Sequence, residues 1–207
     1  VMIASRSDAG LANRLGERCR FCSCDVREVS ELRAMGERVV DWYGKLDVWV
    51  NNAGYSAWKE LKDVDDGFWS RMMDTNLKGV FFGCQTAAAL MKGEGTILNI
   101  SSLAGKRGSA NNSVYCASKF GVNGITQALA KEVGARGIRV NAVCPVYLQT
   151  EGLLEALNQM EAPPRGQDTA TYLRNFAASQ SALGRLPVIE EIAQVCLFLA
   201  SSAASAI

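Results

Sequence analysis

Residues 46–54 read L-D-V-W-V-N-N-A-G. A short apolar run that stops at asparagine and glycine is a strand buried on both faces and closed by a turn. The same unit recurs on either side. Upstream, V-M-I-A-S (1–5) is a short apolar strand, followed by a helix from about Ala9 to Arg18. R-F-C-S-C-D-V (20–26) is a second strand, and Ser30 is placed to cap a helix that runs to about Tyr43. Downstream, a helix near Asp65 to Asn76 leads into a long apolar one from about Leu77 to Met91, broken by Gly93 and Gly95. T-I-L-N-I-S (96–101) is a strand, Ser113 to about Ala135 a helix, and I-R-V-N-A-V (138–143) a strand stopped by Pro145. Residues 151–182 read as a long loop with a helix in it, and Glu190 to Ala200 as a final helix. Apolar strands alternating with helices predict an α/β fold, a doubly wound Rossmann-type parallel sheet with helices on both faces. Its ligand site lies beyond the carboxyl ends of the strands, where Asn51, Ser102 and the stretch after Pro145 fall.

The composition narrows the chemistry. The chain has 207 residues, 48% hydrophobic and 21% charged, with a formal net charge of +1. That suits one domain over 1–207 and argues against a nucleic-acid or polybasic membrane surface. No apolar run reaches the length of a membrane span. There is no histidine, which removes Ser-His-Asp triads, Cys-His pairs and histidine-ligated zinc. Any general base is therefore tyrosine, lysine, carboxylate or cysteine. The seven scattered cysteines suit a reducing, cytoplasmic setting better than a disulfide framework. Cys19, Cys22 and Cys24 invite a metal reading, but they sit in a strand-like segment with no fourth ligand nearby. Buried thiols and no metal site are the better expectation.

Residues 115–119 read Y-C-A-S-K, with Ser102 upstream. Tyrosine and lysine four apart share a helix face. An ammonium close to a phenol favours the phenolate, and a tyrosine tuned in this way exchanges protons with an alcohol or carbonyl oxygen. Alone, the pair could be a half-buried tyrosine beside a solvated lysine.

N-N-A-G (51–54), Asn76, I-S-S (100–102), Y-C-A-S-K, N-A-V-C-P (141–145) with Thr150, and L-A-S-S (199–202) occur in this order. The set resembles the short-chain dehydrogenase/reductase family, in its short single-domain branch, and in motif style the 3-oxoacyl-(acyl-carrier-protein) reductases. The resemblance implies that Tyr115 is the catalytic acid/base, that Lys119 lowers its pKa and binds the nicotinamide ribose, and that Ser102 binds the substrate oxygen. It implies that Asn76 holds a water in a proton relay. Asn51, Ala53 and Gly54 are implied to support the cofactor ribose, and Asp25 and Val26 to line the adenine pocket. Leu148 and Thr150 would meet the carboxamide. Taken singly, Ser102 could cap a turn, Asn76 could end a helix, and Asp25 could be a loop residue.

For the cofactor, Ser5 stands where NAD-type relatives carry an acidic residue, and Arg6 follows. A cation matches a 2′-phosphate, which favours NADP(H), with NAD(H) the alternative. The expected reaction is hydride transfer between NADP(H) and a small-molecule ketone or secondary alcohol. A non-catalytic nucleotide-binding module or sensor, an NAD-dependent sugar or polyol dehydrogenase, and an epimerase sharing Y-x-x-x-K are the competing readings. Substrate choice is expected in Tyr55 to Trp58, in Leu103 to Asn112, and in a lid over 147–185. The helices over 77–91 and 113–135, rich in alanine, imply a homodimer or homotetramer.

Two departures stand out. Relatives open with a strand and a T-G-x-x-x-G-x-G turn and close with a further strand, so the resemblance implies a chain truncated at both ends, and the 207 residues alone are not expected to make a stable holoenzyme. Val146 replaces a glycine that lets the backbone approach the nicotinamide.

Overall fold

Strands and helices alternate as far as Val143, and helices alone follow. A computed structural model describes all residues, 1–207. The strands are β1 (Met2–Ser5), β2 (Arg20–Ser23), β3 (Val48–Asn51), β4 (Gly95–Ile100) and β5 (Ile138–Val143). The helices are α1 (Leu11–Arg14), α2 (Val29–Tyr43), α3 (Asp66–Met73), α4 (Gly79–Leu90), α5 (Ser113–Val133), α6 (Glu151–Leu157), α7 (Thr169–Gln180) and α8 (Ile189–Ala200). Every strand pair is parallel. The strands form two hydrogen-bonded groups, β1–β2 and β3–β4–β5. The architecture is the α/β Rossmann type.

Alternation along β4 shows why the sheet is covered twice. Ile97 faces a core shared with Leu32 of α2, Cys84 and Ala87 of α4 and Val122 of α5. The next residue, Leu98, faces the opposite side and packs with Val143 and with Leu199 of α8. Successive strand side chains point to opposite faces, so two apolar neighbours need two helical layers. On β3, Trp49 is buried while Val48 and Val50 on the other face are exposed. The α8 layer therefore covers β4 and β5 but leaves β3 open.

A polar network crosses this core beneath the strand ends. Asn51 Nδ2 donates to Asn99 Oδ1 at 2.8 Å, and Asn99 Nδ2 donates to Thr126 Oγ1 at 2.9 Å. Asn51 Oδ1 accepts from Trp49 Nε1 at 2.7 Å. Buried amides are tolerated when satisfied in this way, and the network ties β3 to β4 and to α5. A Cβ at Gly83 of α4 would run into the Asn51 carboxamide, so that helix position has no room for a larger residue.

Several boundaries differ from the sequence expectation. Ser30 lies inside α2, and Glu28 is the cap. A turn closed by Glu28 N and Asp25 O starts the helix earlier. The helix after β1 is one turn long. The expected break near Asn76 is a π-helical turn, Asp74–Lys78, that joins α3 to α4. The supposed long loop holds two helices. Thr150 caps α6 by accepting from Leu153 N at 3.3 Å, and Asp168 caps α7 by accepting from Thr171 N at 2.8 Å. With Trp58, these helices enclose a small core of their own: Ala156, Leu157, Ala162 and Leu173.

Candidate active site

Two cavities lie along the carboxyl ends of the strands. The larger, about 840 Å³, is lined by Ser102, Tyr115, Lys119, Leu148 and Thr150. The smaller, about 340 Å³, is lined by Ser5, Arg6, Asp25, Val26, Asn51, Ala53 and Gly54. Gly54, Tyr55 and Arg71 border both, so the cavities meet there.

Ser102 follows β4 and opens a single 3-10 turn, its Oγ accepting from Ala104 N at 3.1 Å. Leu103 N donates to Pro145 O at 2.8 Å, which fixes the turn against the end of β5. Ser101, one residue earlier, is buried and donates to Lys119 O at 3.2 Å. Tyr115 lies in the first turn of α5 and Lys119 one turn later. The Lys119 ammonium sits 5.7 Å from the centroid of the Tyr115 ring. Glycine at 105 lets this corner close: a Cβ there would meet Lys119 O at 2.7 Å and Ser101 Oγ at 2.8 Å.

The electrostatics differ from the simple expectation of a lysine that lowers its neighbour's pKa. Burial pushes the Tyr115 phenol up, and the nearby Ser102 hydroxyl pulls it partly back. Lys119 is buried, donates to Ile100 O at 2.8 Å, and is lowered to about 8 by loss of solvent. The ammonium is thus anchored on a strand-end carbonyl and faces the ring of Tyr115. At neutral pH, the tyrosine is protonated, and the lysine is mostly charged.

Asn76 has a structural task in its side chain. Its side chain is fully buried. Oδ1 accepts from Tyr55 N at 2.7 Å, and Nδ2 donates to Tyr55 O at 2.8 Å. The carboxamide therefore clamps the chain after N-N-A-G as a strand partner would. Gly54 lies beside it; a Cβ there would sit 3.7 Å from Asn76 Oδ1 and 4.0 Å from Lys119 Nζ.

In the smaller cavity, Asp25 is already engaged. Arg27 binds its carboxylate at 2.5 Å and, with the bonds this brings, holds its pKa down at about 2. Val26 approaches α4 closely because Gly79 has no side chain; a Cβ would lie 2.9 Å from Val26 O. Ser5 Oγ donates to Ser7 O at 2.6 Å. The side chain of Asn51 is spent on the core network, which leaves its backbone to the cavity. Thr150 Oγ1 is the acceptor that caps α6, with its hydroxyl proton still available.

The structure adds residues that the motifs did not single out. Arg71 stacks on Tyr55, 4.1 Å from the ring centroid, where the cavities join. Tyr147 lines the larger cavity in contact with Tyr172 and Phe176, at centroid distances of 6.1 and 4.8 Å. The sequence assigns Tyr55 and the 147–185 stretch to substrate choice, but contacts between residues so far apart in the chain leave no local signal.

No group of three or more His, Cys, Asp or Glu side chains is arranged to hold an ion. Cys24 and Cys84 are buried thiols, each pushed up to about 11 by loss of solvent.

A two-part cleft across strand ends holds a serine, a tyrosine and a lysine in one half, and the family match makes the protein an NAD(P)-dependent oxidoreductase of CH–OH and ketone groups. Residues 1–207 match the family model described as enoyl-(acyl carrier protein) reductase. The chain belongs to the short-chain dehydrogenase/reductase family. It is 38% identical to the 3-oxoacyl-(acyl-carrier-protein) reductase of Thermotoga maritima, over 87% of this chain and 69% of that one. It is 34% identical to a 3beta-hydroxysteroid dehydrogenase of Mediterraneibacter gnavus, over 91% of this chain and 72% of the relative. Among solved structures, a variant of actinorhodin polyketide ketoreductase with NADPH superposes with a TM-score of 0.89 at 33% identity, covering 100% of this chain and 82% of that one. Thermoplasma acidophilum aldohexose dehydrogenase, ligand-free, gives 0.88 at 28%, covering 100% and 79%. No helix is long and apolar enough to cross a membrane.

Proposed function

We propose that the protein reduces a ketone to a secondary alcohol with NADPH, and that Ser102, Tyr115 and Lys119 carry the chemistry. The observation behind this is the convergence of the half-buried Tyr115 with Ser102 and Lys119 at the wall of one cavity. Ser102 donates a hydrogen bond to the substrate oxygen and orients it. Tyr115 gives its proton to that oxygen as the C–O bond becomes single. Lys119, held on Ile100 O, keeps a positive charge beside the phenolate that forms. Asn76 positions Tyr55 and Gly54 at the junction of the two cavities.

The cleft fits a dinucleotide. The cavities share a wall at Gly54, and Arg6 offers a cation in the smaller one. Ser5, Arg6, Asp25, Val26, Asn51, Ala53 and Gly54 would hold the adenosine half, and Tyr115, Lys119, Leu148 and Thr150 the nicotinamide half. When bound, the cofactor supplies or accepts the hydride. Arg6 facing a 2′-phosphate favours NADP(H) over NAD(H).

The test is oxidation of NADPH and NADH with a panel of ketones and, separately, an enoyl thioester. NADPH consumption with ketones is expected. Arg6→Ala should raise KM for NADPH by about tenfold and leave that for NADH little changed, the loss of one charged hydrogen bond. Consumption only with the enoyl thioester would replace the ketone reading by carbon–carbon double-bond reduction.

We also propose self-association through α4 and α5. Phe81 and Phe120, one on each helix, are exposed at 47% and 48% and give the two helices apolar surface of the kind a partner copy covers. Light scattering should report a dimer or tetramer for the wild type and smaller species for Phe120→Glu; a wild-type monomer would remove this proposal.

A further inference from the structure

A dinucleotide with its adenosine in one cavity and its nicotinamide in the other carries its pyrophosphate between them. That linkage is doubly negative, and proteins meet such charge with cations or aimed N–H groups. Gly54, Tyr55 and Arg71 line both cavities, and of these only Arg71 has a charged side chain. The other cavity-lining arginines each border one cavity: Arg6 and Arg27 the smaller, Arg107 and Arg165 the larger. Arg27 is already bound to Asp25.

The surroundings of Arg71 hold it in place and leave its charge free. The N–H and the carbonyl of Tyr55 are both bonded to the Asn76 carboxamide, at 2.7 and 2.8 Å. The Tyr55 ring packs with Ala57, Met72 and Val114. Tyr55 is therefore fixed through main chain and ring, and the Arg71 guanidinium lies over that ring, 4.1 Å from its centroid. Asp74 stands three residues further along, at a spacing that often pairs opposite charges. It does not pair with Arg71, and the five salt bridges of the chain join other groups. Arg71 is exposed. A guanidinium placed over an aromatic ring keeps the N–H groups at its edge for the oxygens of a phosphate.

Resting on the cofactor reading above, we propose that Arg71 binds the pyrophosphate of the dinucleotide, with Tyr55 as its platform. The two arginines then divide the cofactor. Arg6 meets a group that only NADP(H) carries, and Arg71 meets one that NADP(H) and NAD(H) share. Asn76 becomes a positioning residue that acts on the cofactor through Tyr55 and Arg71.

The test is titration calorimetry of NADPH, NADH and ADP-ribose, without substrate, on the wild type, Arg71→Met, Arg71→Lys and Arg6→Ala. ADP-ribose keeps the pyrophosphate and lacks the nicotinamide and the 2′-phosphate. Arg71→Met keeps an apolar stem over Tyr55 and removes the charge with every donor. It should weaken all three ligands by a common factor of about ten- to a hundredfold, the range for hydrogen bonds to charged groups. Arg71→Lys keeps the charge without the planar fork and should recover part of the loss. Arg6→Ala should weaken NADPH alone. Added salt should cost the wild type more affinity than it costs Arg71→Met. The ligand-free melting temperature should not change, because Arg71 is exposed and has no polar partner to lose; a fall in both Arg71 variants would make the residue structural and overturn the proposal. A loss confined to NADPH would move Arg71 to the 2′-phosphate and also overturn it. So would a raised KM for ketone at unchanged dinucleotide affinity, which assigns Arg71 to the substrate. A wild type that binds none of the three ligands sinks the cofactor reading and this assignment together. Binding by the wild type that survives Arg71→Met undiminished sinks this assignment alone.

Discussion

Replacing Tyr115 by phenylalanine is expected to lower ketone reduction by about 10²–10⁴-fold, the usual worth of a positioned proton donor. The substitution removes one oxygen and keeps the ring, which packs against Ala57, Met72 and Val114. The melting temperature should therefore stay near that of the wild type, and NADPH affinity should fall only slightly. The hydroxyl is maintained in its protonated form by burial, and because the reaction's equilibrium is fixed, its loss should slow reduction and oxidation alike. Single-turnover absorbance at the nicotinamide band measures the effect. Wild-type turnover in the variant would remove Tyr115 from the mechanism.

Lys119→Met should do two opposite things. Turnover should fall by at least about a hundredfold, because the positive charge beside the nascent phenolate is gone. Stability at neutral pH should rise. The lysine is lowered from 10.5 to about 8 by burial, so the native state binds its proton less tightly than the unfolded state does. For a base lowered in this way, the penalty is full below about 8 and fades as pH climbs toward the unfolded value. The shift corresponds to about 3 kcal/mol, against about 1 kcal/mol for the lost bond to Ile100 O. Denaturant midpoints should therefore favour the methionine variant near neutral pH and the wild type in strong alkali. A variant destabilised equally at both pH values would show that the ammonium is not strained in the native state.

The sequence carried the strand positions well, because parallel strands are apolar runs between turn residues, but not all of their burial: β3 reads as buried on both faces, and Val48 and Val50 are exposed. L-D-V-W-V-N-N-A-G lies across β3 and its turn. Helix starts were harder. Ser30 looked like a cap and is not one, whereas Thr150 and Asp168 are caps in a stretch that reads as loop. Capping depends on whether the backbone turns there, and residue type alone does not decide it. In the cleft, residue types and spacing brought Ser102, Tyr115 and Lys119 to one wall. What they could not show is that Lys119 is anchored on Ile100 O and that Asn76 is occupied by Tyr55. Both are contacts with main-chain atoms, which every residue has and no motif encodes. Arg71 belongs to none of the motifs, and its place between the two cavities is visible only in three dimensions.

The small core of Trp58, Ala156, Leu157, Ala162 and Leu173 has a consequence for how new specificities arise. The helices it joins are held to one another by their own apolar contacts, apart from the core beneath β3 to β5. Substitutions in this cap can reshape the substrate cavity while leaving the Ser102–Tyr115–Lys119 wall in register. Drift or directed evolution can therefore sample new ketones in one module without placing the chemistry of the other at risk.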